Sequence, residues 1–403
     1  MGNKQNGKYL KKRTAAGWKT AFSSVLTIFL ILVIAARGNG GNTVSQSANM
    51  EVADRFYMNA ANAVSDLESS LRTDLLPQDN QAPAVNEDPP AETTAPGNSE
   101  KKYWISSSAV KAPKPDRDAF GRTGNPEDLT DVIASASNLL DGQSLYFTPE
   151  ITLMPDSEIR YYLDDTILAI TWKQVIDNTV YTFSEIKIAD PSQFRRYLAG
   201  GEYGSGKLAV PTELADTVNA VVASSGDYYQ FRNAGVIVYN GQVCRVNEGA
   251  DTCYITQNGD LLFTKIGTSM TMEQAQNFVE ENGIQFSVAF GPILVENGEK
   301  HQFGYYGLGE VGDTFARAAL CQMGELHYLL VNANAEGNYH SYPTMYTFAN
   351  RIYETGCLMG YALDGGQTAV IVMDGELINR VTFGHQRKIS DIIYFATAVP
   401  EVD

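Results

Sequence analysis

The amino-acid sequence predicts an α+β fold, with largely antiparallel sheets, hairpins and a few covering helices, preceded by a membrane anchor and a stalk. Three observations support this class. Asn-Gly pairs, the strongest short-range hairpin signal, separate apolar segments at positions 240–241, 258–259 and 297–298. The regular alternation of strands and helices that indicates a doubly wound sheet is absent. An uncharged apolar run and a proline-rich segment precede the part of the chain that can form a core.

The predicted membrane anchor is residues 20–36, an uncharged run of 17 residues at the short end of a membrane-spanning helix. Six of the seven Lys and Arg residues among positions 1–37 precede it. The positive-inside rule therefore predicts a cytoplasmic tail over 1–19 and a single-pass protein of the cell membrane with its C-terminal domain outside the cytoplasm. The small residues Ala35 and Ala36 also fit a cleaved signal peptide, although Arg37 at the cut favours the anchor.

A stalk helix is predicted over 37–76, because one thin apolar stripe recurs there at helical spacing. Its members are Phe56, Ala60, Ala63, Leu67 and Leu71. The stripe leaves open a coiled coil that joins two copies into a homodimer. Residues 77–125 contain five prolines before position 97 and are predicted to be a disordered linker. The folded domain is then expected over 126–403, held away from the bilayer in the cell envelope.

The helices predicted within this domain begin with recognisable capping residues. Asn125 precedes Pro126, and Asp190 precedes the next such proline. Thr271 and Gln274 form a capping box. The predicted helices span 126–140, 191–198, 211–218, 271–281 and 344–355.

Most of the remaining apolar segments have strand length. Alternation of polar and apolar residues over 181–188 predicts a half-buried antiparallel strand. An Asp-Gly turn is expected at 374–375. Strands are predicted at 144–147, 159–163, 166–173, 180–188, 220–223, 236–239, 242–245, 252–256, 261–265, 285–290, 293–295, 315–321, 327–331 and 389–395, and on both sides of a Gly-Gly turn at 365–366.

The charge of the chain excludes some partners. Its net charge is −17, and residues 38–403 carry −24 because the N-terminal segment is basic and has no acid. So acidic a body repels nucleic acid and anionic lipid, and it can bind phosphate only through a local basic pocket. No nucleic-acid partner is therefore expected.

The four cysteines predict disulfide chemistry and not a metal site. No CxxC motif or Cys/His cluster occurs, so neither a structural zinc ion nor another cofactor is expected. Outside the cytoplasm cysteines can oxidise. If residues 247–250 form the turn of a hairpin, Cys244 lies opposite Cys253, which predicts a disulfide between them. A disulfide between Cys321 and Cys357 is the second, weaker prediction.

Three charged side chains stand where a site is expected. Asp364 and Asp227 each follow an apolar strand and adjoin a glycine, where the missing β-carbon lets a ligand or another backbone come close. Arg317 is the one charged residue within 315–321, and an arginine in an apolar strand needs an anionic partner or a sheet edge. The alternative for the two aspartates is that they only cap turns.

Five segments in order resemble the phosphodiester glycosidase family, over about residues 164–399. They are 226–229 with 231–232, 290–298, 317–319, 363–366 and 390–394. The resemblance implies hydrolysis of a sugar-1-phosphodiester, similar to a GlcNAc-1-phosphodiester, in a phosphate-linked carbohydrate of the envelope: an exopolysaccharide or a glycolipid. It implies catalytic roles for Asp364, Asp227 and Arg317 without metal or cofactor. The substrate-binding residues that it implies are Gly226, Tyr228, Arg232, Gly365 and Gly366.

The chain departs from the family pattern at several positions. The family carries Asn at 225, Thr at 318, Gly at 321 and Gly-Ser-Ser-Thr over 367–370, where this chain has Ser225, Ala318, Cys321 and Gln-Thr-Ala-Val. The loss of hydroxyl and amide groups predicts reduced activity. It also leaves open a non-catalytic protein that binds carbohydrate or assembles exopolysaccharide.

Overall fold

The computed structural model of the chain describes residues 103–304 and 311–401. The predicted tail, anchor and stalk, and the linker up to residue 102, lie outside the described residues. Within those residues, no helix combines the length and the apolar character that a membrane crossing needs.

The described residues form 19 strands and five α-helices. The strands are β1 (Phe120–Thr123), β2 (Ile159–Leu163), β3 (Ile167–Ile176), β4 (Thr179–Ile188), β5 (Phe194–Leu198), β6 (Val222–Ser225), β7 (Ile237–Tyr239), β8 (Gln242–Arg245), β9 (Thr252–Thr256), β10 (Leu261–Thr264), β11 (Ile284–Val288), β12 (Ile293–Glu296), β13 (Glu299–Lys300), β14 (Arg317–Gly324), β15 (His327–Asn334), β16 (Met359–Leu363), β17 (Ile371–Met373), β18 (Glu376–Leu377) and β19 (Asp391–Phe395). The helices are α1 (Thr130–Ser135), α2 (Ser137–Leu140), α3 (Pro211–Thr217), α4 (Met272–Glu281) and α5 (Met345–Glu354).

The strands pair into antiparallel sheets, as the α+β prediction requires for the folded domain. The largest sheet has nine strands in the order β1-β2-β3-β4-β15-β14-β16-β12-β13. A five-stranded sheet has the order β18-β17-β6-β19-β5, so that the last strand lies between two earlier ones. Smaller sheets are β10-β9-β11 and β7-β8. The predicted Asn-Gly turns join β7 to β8, β9 to β10 and β12 to β13, which confirms them.

The hydrophobic core lies on both faces of the nine-stranded sheet. One face of β4, with Ile186 and Ile188, packs against the five- and three-stranded sheets. The other face, with Phe183, packs against α5 and the helices near residue 130. All ten residues of β4 are therefore buried, and the prediction of a half-buried strand is wrong because helices cover its second face. The α3 helix covers the outer face of the five-stranded sheet.

The predicted helix caps are present in the structure. Asn125 accepts a hydrogen bond from the Glu127 backbone, and the helix that follows is a 3₁₀ turn continued by α1 and α2. Thr271 and Gln274 exchange both bonds of the capping box that begins α4. Thr344 caps α5.

Two secondary-structure predictions are wrong. The helix predicted at 191–198 is a single 3₁₀ turn followed by β5, whose residues point alternately into the core and pair with β19. This long-range pairing outweighs the local helix signal of Asp190 and its proline. No strand forms at 144–147, where backbone N–H groups bond to the Glu185 carboxylate instead of to a neighbouring strand.

The fold begins earlier than the predicted boundary at residue 126. Ile105 and Ala112 are buried against α3. β1 pairs with β2 at the edge of the nine-stranded sheet. Residues 103–125 thus belong to the domain, because a few apolar side chains anchor a segment whose average composition resembles a linker.

All four cysteines are free thiols in the structure, so it contains neither of the two pairings considered. The predicted disulfide between Cys244 and Cys253 is also wrong for a topological reason. β8 pairs with β7, whereas β9 pairs with β10 and β11. Residues 247–250 therefore connect two different sheets and do not form the turn of a hairpin.

Candidate functional site

Asp364 lies at the junction of the two large sheets. β16 belongs to the nine-stranded sheet and ends at Leu363, directly before Asp364. After Gly365 the chain makes a 3₁₀ turn over Gly366–Thr368 and enters β17 in the five-stranded sheet. The predicted sequence of strand, Gly-Gly turn and strand is confirmed, and its two strands lie in different sheets.

The glycines beside the two aspartates are required by the protein's own packing. A β-carbon on Gly226 would lie 1.8 Å from Oδ2 of Asp391, and one on Gly365 would lie 2.7 Å from the Ala316 carbonyl oxygen. The third, Gly366, has a φ of +61° and open space around it. The close approach predicted at Gly226 and Gly365 is therefore made by other parts of the chain.

A narrow cleft, with no room for a water molecule in this conformation, lies at this junction. It is formed by the loop after β6, the end of β16 and the segment that leads into β19. Its lining residues are Asp227, Tyr228, Phe231, Asp364, Thr368, Arg387, Lys388, Ile389 and Ser390. The cleft thus combines carboxylates, cations and aromatic rings, as expected for binding an anionic carbohydrate.

A larger cavity of about 590 Å³ lies elsewhere, beside Tyr103, Asn138 and Asp164. Among the described residues, no Lys or Arg lines it. The Asp164 carboxylate already accepts hydrogen bonds from the Thr166 and Ile167 backbone. We therefore assign the chemistry to the narrow cleft, where cations face a carboxyl group.

The carboxyl group of Asp364 ionises near neutral pH. Burial raises the pKa of its carboxyl group to about 7. The nearby Thr368 hydroxyl and the charges of Arg387 and Arg232 lower that pKa, while the charge of Asp227 raises it. A carboxyl group that ionises near pH 7 can act in acid–base or nucleophilic catalysis.

Arg387 is a cation that lines the cleft and lowers the pKa of Asp364. Its guanidinium lies 5.4 Å from the ring centroid of Tyr228 and 5.6 Å from that of Phe231, and it donates to the Tyr228 hydroxyl at 3.2 Å. The two rings stack on each other at 4.7 Å. The sequence prediction missed Arg387, although a basic pair immediately before the segment 390–394 in so acidic a chain was an available signal.

Asp227 also lines the cleft, but protein groups engage both oxygens of its carboxylate. Oδ1 accepts from the Tyr229 backbone at 2.7 Å, and Oδ2 accepts from the Ala289 backbone at 2.8 Å. Oδ2 also lies 3.1 Å from Nη2 of Arg196. The structure brings Asp227 and Asp364 together and gives Asp227 the role of fixing the loop that carries Tyr228.

A buried ion-pair network stands behind this loop. Nε of Arg196 lies 2.8 Å from Oδ2 of Asp391, and all three side chains of the Asp227–Arg196–Asp391 network are fully buried. Asp391 also accepts from the Asp227 backbone and the Ser390 hydroxyl. Burial raises the pKa of Asp391 to about 7 against the lowering effect of Arg196. The sequence patterns predicted no role for Arg196, and Asp391 entered only as part of the fifth family segment.

The other two predicted arginines bind backbone groups. Arg232 donates to the Ala289 and Phe290 carbonyl oxygens at 3.0 and 2.8 Å. Arg317 is the first residue of β14; it donates to the Asp313 carbonyl at 2.8 Å and lies over the Phe315 ring. It is not among the residues that line the cleft. Its backbone nevertheless lies beside Asp364, because Ala318 pairs with Leu363 and the Arg317 α-carbon is 3.7 Å from the position of a β-carbon on Gly365. The catalytic role of Arg317 stays a prediction.

The comparisons with known proteins agree with the suspected resemblance. The family model described as phosphodiester glycosidase matches residues 218–396, a span that includes every lining residue of the cleft. The fold is similar to the zebrafish N-acetylglucosamine-1-phosphodiester alpha-N-acetylglucosaminidase catalytic domain, with 15% identity and a TM-score of 0.46 over 64% of this chain and 92% of that chain. It is also similar to a hypothetical protein from Synechocystis, with 13% identity and a TM-score of 0.39 over 57% and 62% of the two chains. No curated protein matches the chain.

Proposed function

We propose that this chain, whose residues 218–396 carry a phosphodiester glycosidase domain, hydrolyses a sugar-1-phosphodiester in an envelope polysaccharide or glycolipid. The observation that carries the proposal is the pairing in one cleft of Asp364, whose carboxyl pKa is about 7, with Arg387 held on two aromatic rings. A GlcNAc-1-phosphodiester is the first substrate to test.

The chemistry of the reaction matches these two groups. Cleavage of a glycosidic bond passes through an oxocarbenium-like transition state, which the Asp364 carboxylate stabilises. The bond from the anomeric carbon to the phosphate oxygen breaks, and the oxygen leaves with the electron pair. The second pKa of a phosphate monoester is about 6, so this leaving group needs little help from a general acid. Arg387 stabilises the negative charge on the departing phosphate through charge-assisted hydrogen bonds. Water supplies the hydroxyl of the released sugar.

Three departures from the family pattern are compatible with activity. Thr368 keeps a hydroxyl group that donates to the Gly365 carbonyl and, close to Asp364, lowers the pKa of that carboxyl group. The Gln367 amide donates to the His385 carbonyl at 3.1 Å, which ties the turn after Asp364 to the segment that carries Arg387. Ser225 donates to the Asp364 carbonyl at 3.0 Å. These contacts favour the enzyme over a non-catalytic carbohydrate-binding protein.

The experiment is an assay of the purified full-length protein in detergent on a GlcNAc-1-phosphodiester and a panel of related sugars. We expect release of free sugar and phosphomonoester. Asp364→Asn should lower kcat by about 100-fold or more, because it removes the charge and keeps the shape. Asp156→Asn is the matched control, since Asp156 is an exposed turn residue at a φ of 59°, which Asn also adopts. Saturable binding of a sugar without phosphomonoester from any substrate would instead support the non-catalytic protein.

We also propose that residues 20–36 anchor the protein with the domain outside the cytoplasm. The basic flank and the length of the apolar run support this topology. External protease should digest the domain of the protein in intact cells while a tail of residues 1–19 stays protected. A mature protein that begins near Arg37 would replace the anchor by a cleaved signal peptide.

A further inference from the structure

Two thiols that the proposed reaction does not use lie side by side in the core. Cys321 is in β14, Cys357 follows α5, and their exposures are 0% and 1%. Both pack in the core between the nine-stranded sheet and α5. Cys321 is directly opposite Gly360 in the pairing of β14 with β16. The Cys357 sulfur lies 3.4 Å from the position of a β-carbon on Gly360, so the absent side chain leaves it room beside Cys321.

The Cys357 thiol donates to the Ile352 carbonyl oxygen at 3.6 Å, which leaves its sulfur to accept a hydrogen bond from the Cys321 thiol. This bond, together with burial, raises the pKa of Cys321, whereas for Cys357 the same bond lowers the pKa. Cys357 is thus the thiol of the pair that more readily becomes a thiolate, the form that attacks disulfides.

We propose that Cys321 and Cys357 form a disulfide when the chain folds in the presence of a disulfide oxidant. The Cys357 thiolate attacks one sulfur of the oxidant and releases a thiol. The Cys321 thiolate then attacks the Cys357 sulfur of the mixed disulfide and releases the second thiol. The protein loses two electrons and two protons, and one oxidant molecule is reduced to two thiols.

The other two cysteines have no such neighbour among the pairings of the described strands. Cys253 is opposite Phe263 and Val288, and Cys244 lies on the separate β7-β8 sheet. We therefore expect one disulfide, with Cys244 and Cys253 left as thiols. Because Cys321 and Cys357 are both buried, oxidation occurs while α5 is not yet packed, and the folded reduced protein resists it.

The disulfide would connect the end of α5 to the strand beside β16, which ends directly before Asp364. It closes a loop that contains β15 and α5. A cross-link of this length disfavours the unfolded chain, so the oxidised protein should be more stable than the reduced one. Its formation in the cell depends on the proposed extracytoplasmic location, whereas the experiment below does not.

The test is to unfold the full-length protein in denaturant with reductant and to refold it with either oxidised glutathione or dithiothreitol. Alkylation under denaturing conditions and mass spectrometry then count and locate the free thiols. We expect two free thiols, at Cys244 and Cys253, after oxidative refolding, and four after refolding with dithiothreitol. The oxidised protein should melt at a temperature higher by about 5 °C or more.

Two variants separate the pair from the other cysteines. Cys321→Ala should lose the redox dependence of Tm and show three free thiols under both conditions. Cys244→Ala is the matched control and should keep the redox dependence with one free thiol. Four free thiols in the oxidatively refolded wild type, or a peptide that links Cys244 to Cys253, would overturn the proposal. Both of these outcomes are measured on the wild type, so the test remains decisive even if the Cys321 variant fails to fold.

Discussion

Oδ2 of Asp391 lies 1.8 Å from where a β-carbon on Gly226 would stand. Arg196 holds this carboxylate in place at 2.8 Å, and the backbone N–H of Asp227 donates to it. The loop that carries Tyr228 and Phe231 therefore packs against a buried carboxylate that an ion pair and a backbone hydrogen bond hold in position. Gly226 serves this contact, and its role in substrate binding stays a prediction.

We expect Gly226→Ala to lower the free energy of unfolding by about 2–3 kcal/mol or more, because either the loop or the ion pair must shift. Denaturant unfolding measures the change. Gly124→Ala is the control, since nothing lies within 4 Å of its β-carbon position. Equal stability of the two variants would show that the Asp391 carboxylate has room to relax.

Replacing Arg196 by methionine leaves two buried carboxylates without their cation. We expect a loss of about 3–5 kcal/mol at pH 8. The loss should be smaller at pH 5, because the pKa of Asp391 is already about 7, and without Arg196 it rises further, so that the carboxyl group is neutral there. Arg122→Met removes a surface ion pair with Glu376 that is about half exposed on both sides and should cost less than about 1 kcal/mol at either pH. A loss for Arg196→Met that does not vary with pH would contradict the electrostatic role.

Asp364→Asn should stabilise the protein at pH 8 while it removes activity. The folded-state pKa of about 7 is above the ordinary 3.8, so the neutral carboxyl group favours folding below pH 4. That contribution is lost as the pH rises through 7. The free energy of unfolding of the variant should exceed that of the wild type by at most about 4 kcal/mol at pH 8, and this difference should vanish near pH 4. Thermal unfolding at both pH values measures it, and a variant less stable than the wild type at pH 8 would contradict the pKa.

The same pKa predicts how activity depends on pH. Because the proposed mechanism uses the Asp364 carboxylate, kcat/KM should rise with pH and level off above an apparent pKa of about 7. Initial rates on the phosphodiester substrate between pH 5 and 9 test this. A rate that falls through pH 7 would show that Asp364 acts as a general acid.

Arg387→Lys should lower kcat/KM by about tenfold or more, because lysine keeps the charge but loses the planar, bidentate contact with phosphate. The loss should be greater for the phosphodiester than for an aryl glycoside of the same sugar, which has no phosphate to bind. Arg117→Lys, on an exposed side chain, is the control. Equal losses on both substrates would place the phosphate elsewhere.

Local signals in the sequence predicted the elements whose cause is local. The turn at Asn240-Gly241 has both residues at positive φ, a conformation that Asn and Gly adopt at little cost. The capping box of Thr271 also depends on residues three positions apart. The position of Asp364 was predictable because a strand end and two glycines stand together in the sequence.

Contacts between distant segments could not be predicted from the same signals. Arg196 and Asp391 are 195 residues apart in the sequence, and only the pairing of β5 with β19 brings them together. The Cys244–Cys253 prediction failed for the same reason, because a short loop was assumed to join paired strands. Arg317 was assigned to the site from its charge in an apolar segment; its backbone does lie beside Gly365, while its side chain donates to the Asp313 carbonyl.

The position of β19 in the middle of the five-stranded sheet has a consequence for protein synthesis. β5 and β6 are translated long before it, yet they become neighbours only through β19. A polypeptide that ends before residue 391 lacks Asp391. Arg196 then loses one of its two counter-ions, and Gly226 loses the carboxylate against which it packs. Premature termination in this region should therefore yield inactive chains, and hydrolysis would begin only once translation has passed the last strand.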